Sequence, residues 1–399
     1  MPKISHKGEI IPASAIRKLV PFADAAKERG VKVYHLNIGQ PDILTPKGAL
    51  DVLRNASMPV VEYTNSAGNL TYRKKLAEYY QKNRINVTHE DIIVTTGGSE
   101  ALQFAFQICL NDGEEILIPE PYYTNYNSFA IQSNVVVKTI HSSIEDGFAL
   151  PPIEEFEKAI TSKTKAIMVC NPNNPTGYLY SQKEIEVLGL LAKKYDLYLI
   201  ADEVYREFCY DGMQHHSVME LKGLEDNVIL VDSVSKRYSA CGARIGCIVS
   251  KNKKVMSAAM RMAQARLCPP YFGQIFSEAA IDTPQSYFEE VNKEYDLRRK
   301  VMVELVNKIE GCYCPTPKGA FYTMIQMPID DSDKFCQWLL EDFSYQGATV
   351  MLAPATGFYS TPEKGKKQAR IAYCLCVEDI KAAVKCLEEG LKVYPGREK

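Results

Sequence analysis

Residues 227–246 read NVILVDSVSKRYSACGARIG, and this stretch joins an apolar run directly to a cluster of basic and small residues. The run NVILV does not alternate polar with apolar residues, which is typical of a strand buried on both faces. Two serines follow it, Ser233 and Ser235, then Lys236 and, eight residues later, Arg244. Basic side chains among small residues indicate an anion held close to the backbone. The stretch therefore predicts a ligand site at the end of a buried strand.

Apolar runs of the same kind recur through the middle of the chain and alternate with helical stretches. They are IIVTT (92–96), EILIP (115–119), VVVKTI (135–140), KAIMVC (165–170), LYLIA (197–201) and RIGCIV (244–249). QKEIEVLGLLAKKYD, which precedes LYLIA, has the spacing of an amphipathic helix. Buried strands separated by helices predict an α/β domain, a three-layer sandwich with a mostly parallel sheet, over residues 48–290.

The pattern changes beyond residue 290. GAFYTMIQMP, DKFCQWLLEDF, ARIAYCLC and EDIKAAVKCLEEGLKVY indicate a smaller α+β domain over residues 291–399. Residues 1–47 form an N-terminal arm and part of the small domain, with a helix in SAIRKLVPFADAAKERG that Pro21 interrupts.

Composition excludes several classes of protein. The formal net charge is −2, so no overall positive field recruits nucleic acid or an anionic membrane. No apolar run has the length of a transmembrane helix, and the N-terminus lacks the apolar core of a signal peptide. The 12 cysteines include no CxxC pair, so a zinc site is not indicated and we expect no metal. Buried thiols in apolar surroundings favour a reducing compartment, and we expect a cytoplasmic protein.

Polar side chains follow several of the predicted strands. NPNNPTG with Asn174 follows KAIMVC, DEVY with Asp202 and Tyr205 follows LYLIA, and Lys236 follows NVILV. Each alone has an ordinary explanation: a turn for Asn174, a helix cap for Asp202, a surface position for Lys236. Because ligands of open parallel sheets gather beyond the carboxyl ends of the strands, their joint occurrence predicts one binding crevice.

The residue types in this crevice define the ligand. A phosphate is bound by helix amides, hydroxyls and a guanidinium, as GGSE (97–100), Ser233, Ser235 and Arg244 would supply. A lysine near cationic groups in a dry cleft becomes a nucleophilic amine that forms Schiff bases. A carboxylate such as Asp202 keeps a pyridine nitrogen protonated. Together these groups predict pyridoxal 5′-phosphate as the cofactor.

The order of the motifs resembles that of class I/II aminotransferases, fold type I of the pyridoxal-phosphate enzymes, and the aspartate aminotransferase branch in particular. The shared motifs run through nearly the whole chain. They are LNIGQPD (36–42), EYTNSAG (62–68), TTGGSEA (95–101), PEPYYTNY (119–126), NPNNPTG (171–177), DEVY (202–205), SVSKRYSACGARIG (233–246), PKGAFY (317–322) and ARIAY (369–373).

The resemblance implies a role for each matching residue. Lys236 would bind the cofactor aldehyde and shuttle the proton, Asp202 would pair with the ring nitrogen, and Tyr205 and Asn174 would contact the phenolic oxygen. The remaining implied contacts are ring stacking by Tyr123, phosphate binding by Gly98, Ser99, Glu100, Ser233, Ser235 and Arg244, a phosphate contact from the neighbouring subunit by Tyr63, and substrate carboxylate binding by Arg370 with Gly39 and Asn174. The shared site implies a homodimer.

The resemblance leaves the substrate open. It implies transfer of an amino group between an L-amino acid, aspartate or glutamate, and a 2-oxo acid. Some family members bind the distal carboxylate with a lysine where this chain has Ser99, others with a partner arginine where Ala263 aligns, near Arg261 and Arg266. The segment LAPATGFY also departs from the family's P-G-x-x-F pattern, with Ala355 in place of the glycine.

Three alternatives stay open at this point. An aminotransferase that prefers aromatic amino acids or alanine would carry the same motifs. A carbon–sulfur β-lyase would use the same carbanion for elimination. A regulator that senses the cofactor and binds DNA is disfavoured, because only 38 residues precede Gly39 and the chain is not basic.

Overall fold

A seven-stranded sheet lies at the centre of the structure, a computed structural model that describes residues 2–398. The strands of the chain are β1 (Lys32–His35), β2 (Ile92–Thr95), β3 (Glu115–Glu120), β4 (Val136–His141), β5 (Thr164–Cys170), β6 (Tyr198–Asp202), β7 (Val228–Ser233), β8 (Gly246–Val249), β9 (Tyr322–Gln326), β10 (Ala348–Met351), β11 (Ala353–Pro354) and β12 (Gln368–Ala372). The helices are α1 (His6–Ile10), α2 (Val20–Glu28), α3 (Lys47–Arg54), α4 (Leu70–Lys82), α5 (Gly97–Cys109), α6 (Asn125–Gln132), α7 (Ile153–Ala159), α8 (Gln182–Lys194), α9 (Val234–Arg237), α10 (Lys253–Ala265), α11 (Tyr271–Ala280), α12 (Gln285–Val306), α13 (Ser332–Glu341) and α14 (Val377–Val393).

The strand order of this sheet is β2-β8-β7-β6-β5-β3-β4. Strand β8 runs antiparallel to both β2 and β7, and every other neighbouring pair is parallel. Cys170 aligns with Asp202 in the register of β5 and β6, so these strands end at the same edge. The mostly parallel sheet predicted from the apolar runs is confirmed.

Both faces of the sheet are covered, which explains why the strands do not alternate polar with apolar residues. Met168 packs with Ala105 of α5 on one face. Its neighbour Ile167 points to the other face and packs with Leu188 of α8. Because successive residues of a strand face opposite ways, both positions must be apolar in a three-layer sandwich.

Two smaller sheets lie outside the central one. Strands β11, β12 and β9 form an antiparallel sheet, and β1 pairs in parallel with β10. Leu19 and Leu36 of the N-terminal segment share one apolar cluster with Leu339 and Val350. The N-terminal segment thus packs with the C-terminal part of the chain. The boundaries 47/48 and 290/291 stay predictions, and the second falls inside helix α12.

Pro21 was expected to interrupt a helix, and this expectation is wrong. Helix α2 begins at Val20, so Pro21 lies in its first turn. Amides of the first turn have no partner within the helix, and proline therefore loses no hydrogen bond there. Within residues 2–398 no helix is both long and apolar enough to cross a membrane. In the same range no cluster of His, Cys, Asp and Glu side chains is suited to hold a metal ion.

Candidate active site

The polar residues predicted to meet at the sheet edge do lie there. The backbone amide of Asn171, after β5, donates to the carbonyl oxygen of Asp202 at 2.9 Å. Strand β7 ends at Ser233, whose hydroxyl accepts the Ser235 amide at 3.1 Å and so begins α9. This short helix carries Lys236 out of the sheet edge. The Ser233 cap thus fixes where α9 begins, and with it the position of Lys236.

The Lys236 side chain reaches back to the N-terminal segment. Its Nζ donates to the carbonyl oxygen of Gly39 at 2.9 Å and lies 3.7 Å from the Cys241 sulfur. Tyr322 Oη donates to the same Gly39 oxygen at 3.3 Å. A Cβ at position 39 would lie 1.6 Å from Tyr322 Oη, so only glycine fits there. The lack of a side chain at Gly39 thus allows its backbone to approach Tyr322 and Lys236.

A chain of hydrogen bonds continues from Tyr322 to Arg370. The hydroxyls of Tyr322 and Tyr205 lie 3.0 Å apart, and Asn174 Nδ2 donates to Tyr205 Oη at 3.3 Å. Asn174 Oδ1 in turn accepts from Arg370 Nη1 at 2.9 Å. Five residues predicted as a site are therefore connected through one added tyrosine: Lys236, Gly39, Tyr205, Asn174 and Arg370.

Arg370 is a buried cation whose charge is not neutralised inside the described part of the chain. It is 1% exposed, and its Nη2 donates to the carbonyl oxygen of Asn37 at 2.5 Å. Its third guanidinium nitrogen, Nε, has no hydrogen-bond partner within residues 2–398. The guanidinium also lies 4.5 Å from the Tyr322 ring centre. Because a buried charge is unfavourable without a counter-charge, this position is suited to bind a carboxylate.

Asp202 is the buried acid of the site. It is 5% exposed, and Oδ2 accepts the Tyr126 hydroxyl at 2.8 Å. Burial raises the pKa of Asp202 to about 6, while the Tyr126 hydrogen bond and the Lys236 charge act in the opposite direction. The carboxyl is therefore mostly ionised near neutral pH, and it can hold a proton on a basic ring nitrogen.

The start of helix α5 forms a cradle for an anion. Gly97 has φ +76°, and a Cβ there would lie 2.4 Å from Arg244 Nη2. A Cβ at Gly246 would lie 2.6 Å from the Gly98 nitrogen. These glycines let the guanidinium and the free amides of the first helical turn come together. Arg244 itself is exposed, and within residues 2–398 its one hydrogen bond goes to the carbonyl oxygen of Cys241, at 3.0 Å.

Two serines lie beside this cradle. Ser233 Oγ is 2.7 Å from Ser235 Oγ, and the Ser233 Cβ lies 3.8 Å from a Cβ built on Gly98. Ser99 occupies the first turn of α5. The Glu100 carboxylate accepts the Thr96 amide at 2.8 Å, and it also pairs with Arg266. The Glu100 side chain is therefore occupied within the chain and is not free for an anion.

The two predicted aromatic residues differ in position. Tyr123 is largely enclosed, with its ring centre 5.4 Å from that of Tyr126, edge to face. Burial raises the pKa of the Tyr123 hydroxyl, and among the effects that lower it the charge of Arg370 is the largest. Tyr63 is 78% exposed, and the structure does not bring it to the other site residues.

Sequence reasoning missed three contributors to the site: Tyr126, Tyr322 and Asn37. Tyr126 follows Tyr123 by three positions within PEPYYTNY, a spacing that a helix can place on one side. Tyr322 closes the motif PKGAFY, and Asn37 acts through its backbone carbonyl, which no side-chain pattern reveals. Ala263 is fully buried, and Arg266 is held by Glu100, so neither offers a group to the site.

Comparison with known proteins identifies the class. The sequence profile of the family "Aminotransferase class I and II" matches residues 31–387. An aspartate aminotransferase of Pyrococcus horikoshii is 31% identical over 395 residues, covering 98% of this chain and 97% of that protein. An aspartate aminotransferase from Thermus thermophilus with maleate superposes with a TM-score of 0.89 at 28% identity, over 98% of this chain and 100% of that one.

An alanine aminotransferase from Pyrococcus furiosus superposes with a TM-score of 0.88 at 30% identity, over 98% of this chain and 100% of that one. The chain therefore belongs to the class I and II aminotransferase family. It is an enzyme, a transaminase with the aspartate aminotransferase fold. The family and fold expected from the motifs are confirmed.

Proposed function

We propose that this transaminase binds pyridoxal 5′-phosphate at Lys236 and moves an amino group between aspartate or glutamate and a 2-oxo acid. The observation that carries the proposal is the hydrogen-bonded path from the Lys236 amine through Gly39 and Tyr322 to the buried, unneutralised Arg370. This path connects a nucleophilic amine and a carboxylate-binding cation that line the same crevice.

The donor set fits the cofactor. When bound, pyridoxal 5′-phosphate supplies an aldehyde that condenses with amines and a protonated ring that withdraws electrons. Its phosphate would be held by the amides at the start of α5 (Gly98, Ser99, Glu100) together with Ser233, Ser235 and Arg244. The ring would face Asp202, with Tyr205 and Asn174 at its phenolic oxygen and Tyr123 stacked on it.

Each protein group has a definite task in this proposal. Lys236 Nζ carries the proton that leaves the substrate Cα, and Gly39 O orients that amine. Asp202 remains ionised beside the ring nitrogen, because Tyr126 donates to it. Arg370 binds the α-carboxylate in a two-point contact that fixes the Cα–H bond relative to Lys236.

Relatives support the choice of substrate. Aspartate is the substrate in the names of the Pyrococcus horikoshii and Thermus thermophilus proteins, and alanine in that of the Pyrococcus furiosus protein. We place aspartate and glutamate first. A half-reaction screen tests this: the absorbance of the lysine-bound cofactor is followed as each amino acid is added without an acceptor. Loss of absorbance with alanine or aromatic amino acids alone contradicts the substrate proposal. Release of pyruvate and ammonia from cystathionine contradicts transamination and favours elimination.

Lys236→Ala tests the cofactor site directly. We expect no turnover and no lysine adduct after borohydride reduction of the protein with pyridoxal 5′-phosphate. Lys254→Ala, an exposed lysine of α10, is the matched control and should retain both. Peptide mapping that finds the reduced adduct at a different lysine of the wild-type protein contradicts the proposal.

We further propose a homodimer in which Tyr63 contacts the cofactor phosphate of the neighbouring subunit. Support comes from exposed apolar side chains in this region, Leu44, Val60 and Val61, which lie in the sequence around Tyr63. A groove of about 490 Å³ is lined by Leu50, Leu53, Phe272 and Phe276 together with Arg244. Exposed apolar area of this kind is typical of subunit interfaces.

Hybrid dimers test the shared site. Tyr63→Ala and Lys236→Ala subunits are mixed under conditions of subunit exchange. If Tyr63 serves the neighbouring site, the mixture gains one intact site per hybrid, and activity rises above that of either variant. No gain after verified exchange places Tyr63 outside the neighbour's site and contradicts the proposal.

A further inference from the structure

A buried ion pair spans the short helix that carries Lys236. Asp232 precedes Lys236 in strand β7, and Arg237 follows it directly at the end of α9. The two side chains pair with each other through Arg237 Nη2 and Asp232 Oδ2. Asp232 is 1% exposed and Arg237 is 2% exposed. The pair therefore joins the two ends of the segment 232–237, and Lys236 lies between them.

Asp232 is fixed independently of this arginine. Its Oδ1 accepts the backbone amide of Ser233 at 2.7 Å, and its Oδ2 accepts the Tyr80 hydroxyl of helix α4 at 2.9 Å. The Tyr80 oxygen also lies 3.1 Å from the sulfur of Cys247, which faces Asp232 in the register of β7 and β8. Asp232 is thus a fixed point of the sheet, to which Arg237 is attached.

Arg237 has a second anchor outside the sheet. Its Nε lies 3.2 Å from Glu207 Oε1, and the Tyr79 hydroxyl donates to the same carboxylate oxygen. The guanidinium carbon lies 4.4 Å from the centre of the Tyr79 ring. A planar guanidinium contacts two carboxylates at once, which the compact ammonium group of a lysine does not do in the same geometry. The Arg237 side chain is therefore held on three sides, by Asp232, Glu207 and Tyr79.

Helix α9 depends on such contacts for its position. It has only four residues, Val234–Arg237, and a single helical turn is not stable by itself. Neighbouring residues of a helix point in directions about 100° apart, so Lys236 and Arg237 project to different sides. Lys236 reaches the carbonyl oxygen of Gly39, while Arg237 reaches the two carboxylates. Because the two residues share one peptide unit, holding the Arg237 side chain also fixes the start of the Lys236 side chain.

The net stability of a buried ion pair is small, because both ions lose their hydration. Such a pair does impose a defined distance and direction on the backbone that carries it. We propose that Arg237 is a positioning residue, which sets the orientation of Lys236 toward the cofactor aldehyde through its contacts with Asp232 and Glu207. This inference rests on the proposed function, in which Lys236 binds the cofactor.

A double-mutant analysis separates this role from a contribution to folding. Pyridoxal 5′-phosphate is added to the cofactor-free full-length chain, and the rate at which the absorbance of the lysine-bound cofactor appears is measured. Asp232→Asn and Arg237→Met should each slow this attachment about 10- to 100-fold, the effect of displacing a reacting group by about 1 Å. The double variant should be about as slow as either single variant, because both changes act through the same pair.

Stability should follow a different order. Each single variant leaves one buried charge without its counter-charge and should unfold at a lower urea concentration than the wild type. The double variant removes both charges and should recover much of the lost stability. Slow attachment in a double variant of recovered stability supports the positioning role. Attachment that recovers together with stability overturns it.

Two further variants sharpen the test. Arg237→Lys keeps the charge and one carboxylate contact, so its attachment rate should lie between those of Arg237→Met and the wild type. Arg299→Met is the matched control, because Arg299 is also 1% exposed and pairs with two carboxylates, those of Asp211 and Asp296. It should lose stability and keep the wild-type attachment rate. Equal slowing in Arg299→Met would show that loss of any buried pair has this effect, and would overturn the proposal.

The same measurement distinguishes this inference from the proposed function. A wild-type chain that forms no lysine-bound cofactor contradicts the proposed function, and the role of Arg237 with it. A wild-type chain that attaches the cofactor at Lys236, with Arg237→Met attaching it equally fast, contradicts the role of Arg237 alone.

Discussion

Lys236 Nζ donates a hydrogen bond of 2.9 Å to the carbonyl oxygen of Gly39, a residue 197 positions earlier in the chain. The amine that we propose does the chemistry thus contacts the N-terminal segment. The same oxygen accepts Tyr322, so a third part of the chain contacts the same point.

Gly39→Ala should reduce kcat/KM about 10- to 100-fold, the range expected when a reacting group is displaced by about 1 Å. The new Cβ would lie 1.6 Å from Tyr322 Oη, so either the backbone or the tyrosine must move. Gly48→Ala is the control, because no heavy atom lies within 4 Å of its Cβ position. A Gly39→Ala enzyme with the wild-type kcat/KM contradicts the steric argument.

Tyr126→Phe should move the acid limb of the pH profile of kcat/KM upward by about 0.5 to 1 pH unit, the equivalent of one hydrogen bond. The Tyr126 hydroxyl stabilises the ionised form of Asp202, and its loss raises the pKa of that carboxyl. Activity near pH 8 should be retained. Tyr122→Phe, which removes a hydroxyl bonded to Asn127, is the matched control. An unchanged acid limb in Tyr126→Phe would show that Asp202 does not govern it.

Asp202→Asn should change how the stability of the cofactor-free protein depends on pH. Burial raises the pKa of Asp202 from 3.8 to about 6, so the folded state binds this proton more tightly than the unfolded chain. The resulting stabilisation is present below pH 4 and is lost as the pH rises through 6, by about 3 kcal/mol. Urea unfolding between pH 4 and 8 measures it.

In Asp202→Asn this loss of stability on raising the pH should be absent, since the amide does not titrate. The difference between wild type and variant should therefore vary from pH 4 to 6 and become constant above pH 7. The exposed Asp226→Asn is the control and should follow the wild type. Parallel stability curves for wild type and Asp202→Asn would rule out a raised pKa.

Arg244→Met should weaken binding of pyridoxal 5′-phosphate about 10- to 100-fold, because a charge-assisted contact to the phosphate is lost. Pyridoxal, which has no phosphate, should bind the variant and the wild type equally. Fluorescence titration of the cofactor-free protein measures both ligands, with Arg261→Met as an exposed-arginine control. Equal losses for the two ligands would place Arg244 away from the phosphate.

The fold was largely predictable from the chain. Runs such as KAIMVC and NVILV form strands that are buried on both faces. Such strands consist almost entirely of apolar residues, so they can be recognised in the sequence. The sequence did not predict that β8 runs antiparallel to its neighbours, because an apolar run such as RIGCIV fits either a parallel or an antiparallel strand. Pro21 was misread for a similar reason, since its place within a helix depends on where the first turn begins.

The site was predictable where its residues follow strand ends. Asp202 and Lys236 were singled out because Asp202 directly follows LYLIA and Lys236 lies five positions after NVILV. Tyr126 and Tyr322 were missed, because nothing local distinguishes a tyrosine that donates to Asp202 or Gly39 from one that fills a core. The chain has 24 tyrosines, and only their neighbours in space separate the two kinds.

The sequence by itself determined the three-layer architecture, the family and the residues suited to a phosphate, an aldehyde and a ring nitrogen. These are properties of short segments, in which apolar periodicity and motif spacing act over a few residues. Only the tertiary structure decided which groups lie together at the substrate end: Gly39 with Tyr322, and Asn37 with Arg370. Those contacts join segments hundreds of residues apart, and burial and close packing, not local pattern, set their distances and charges.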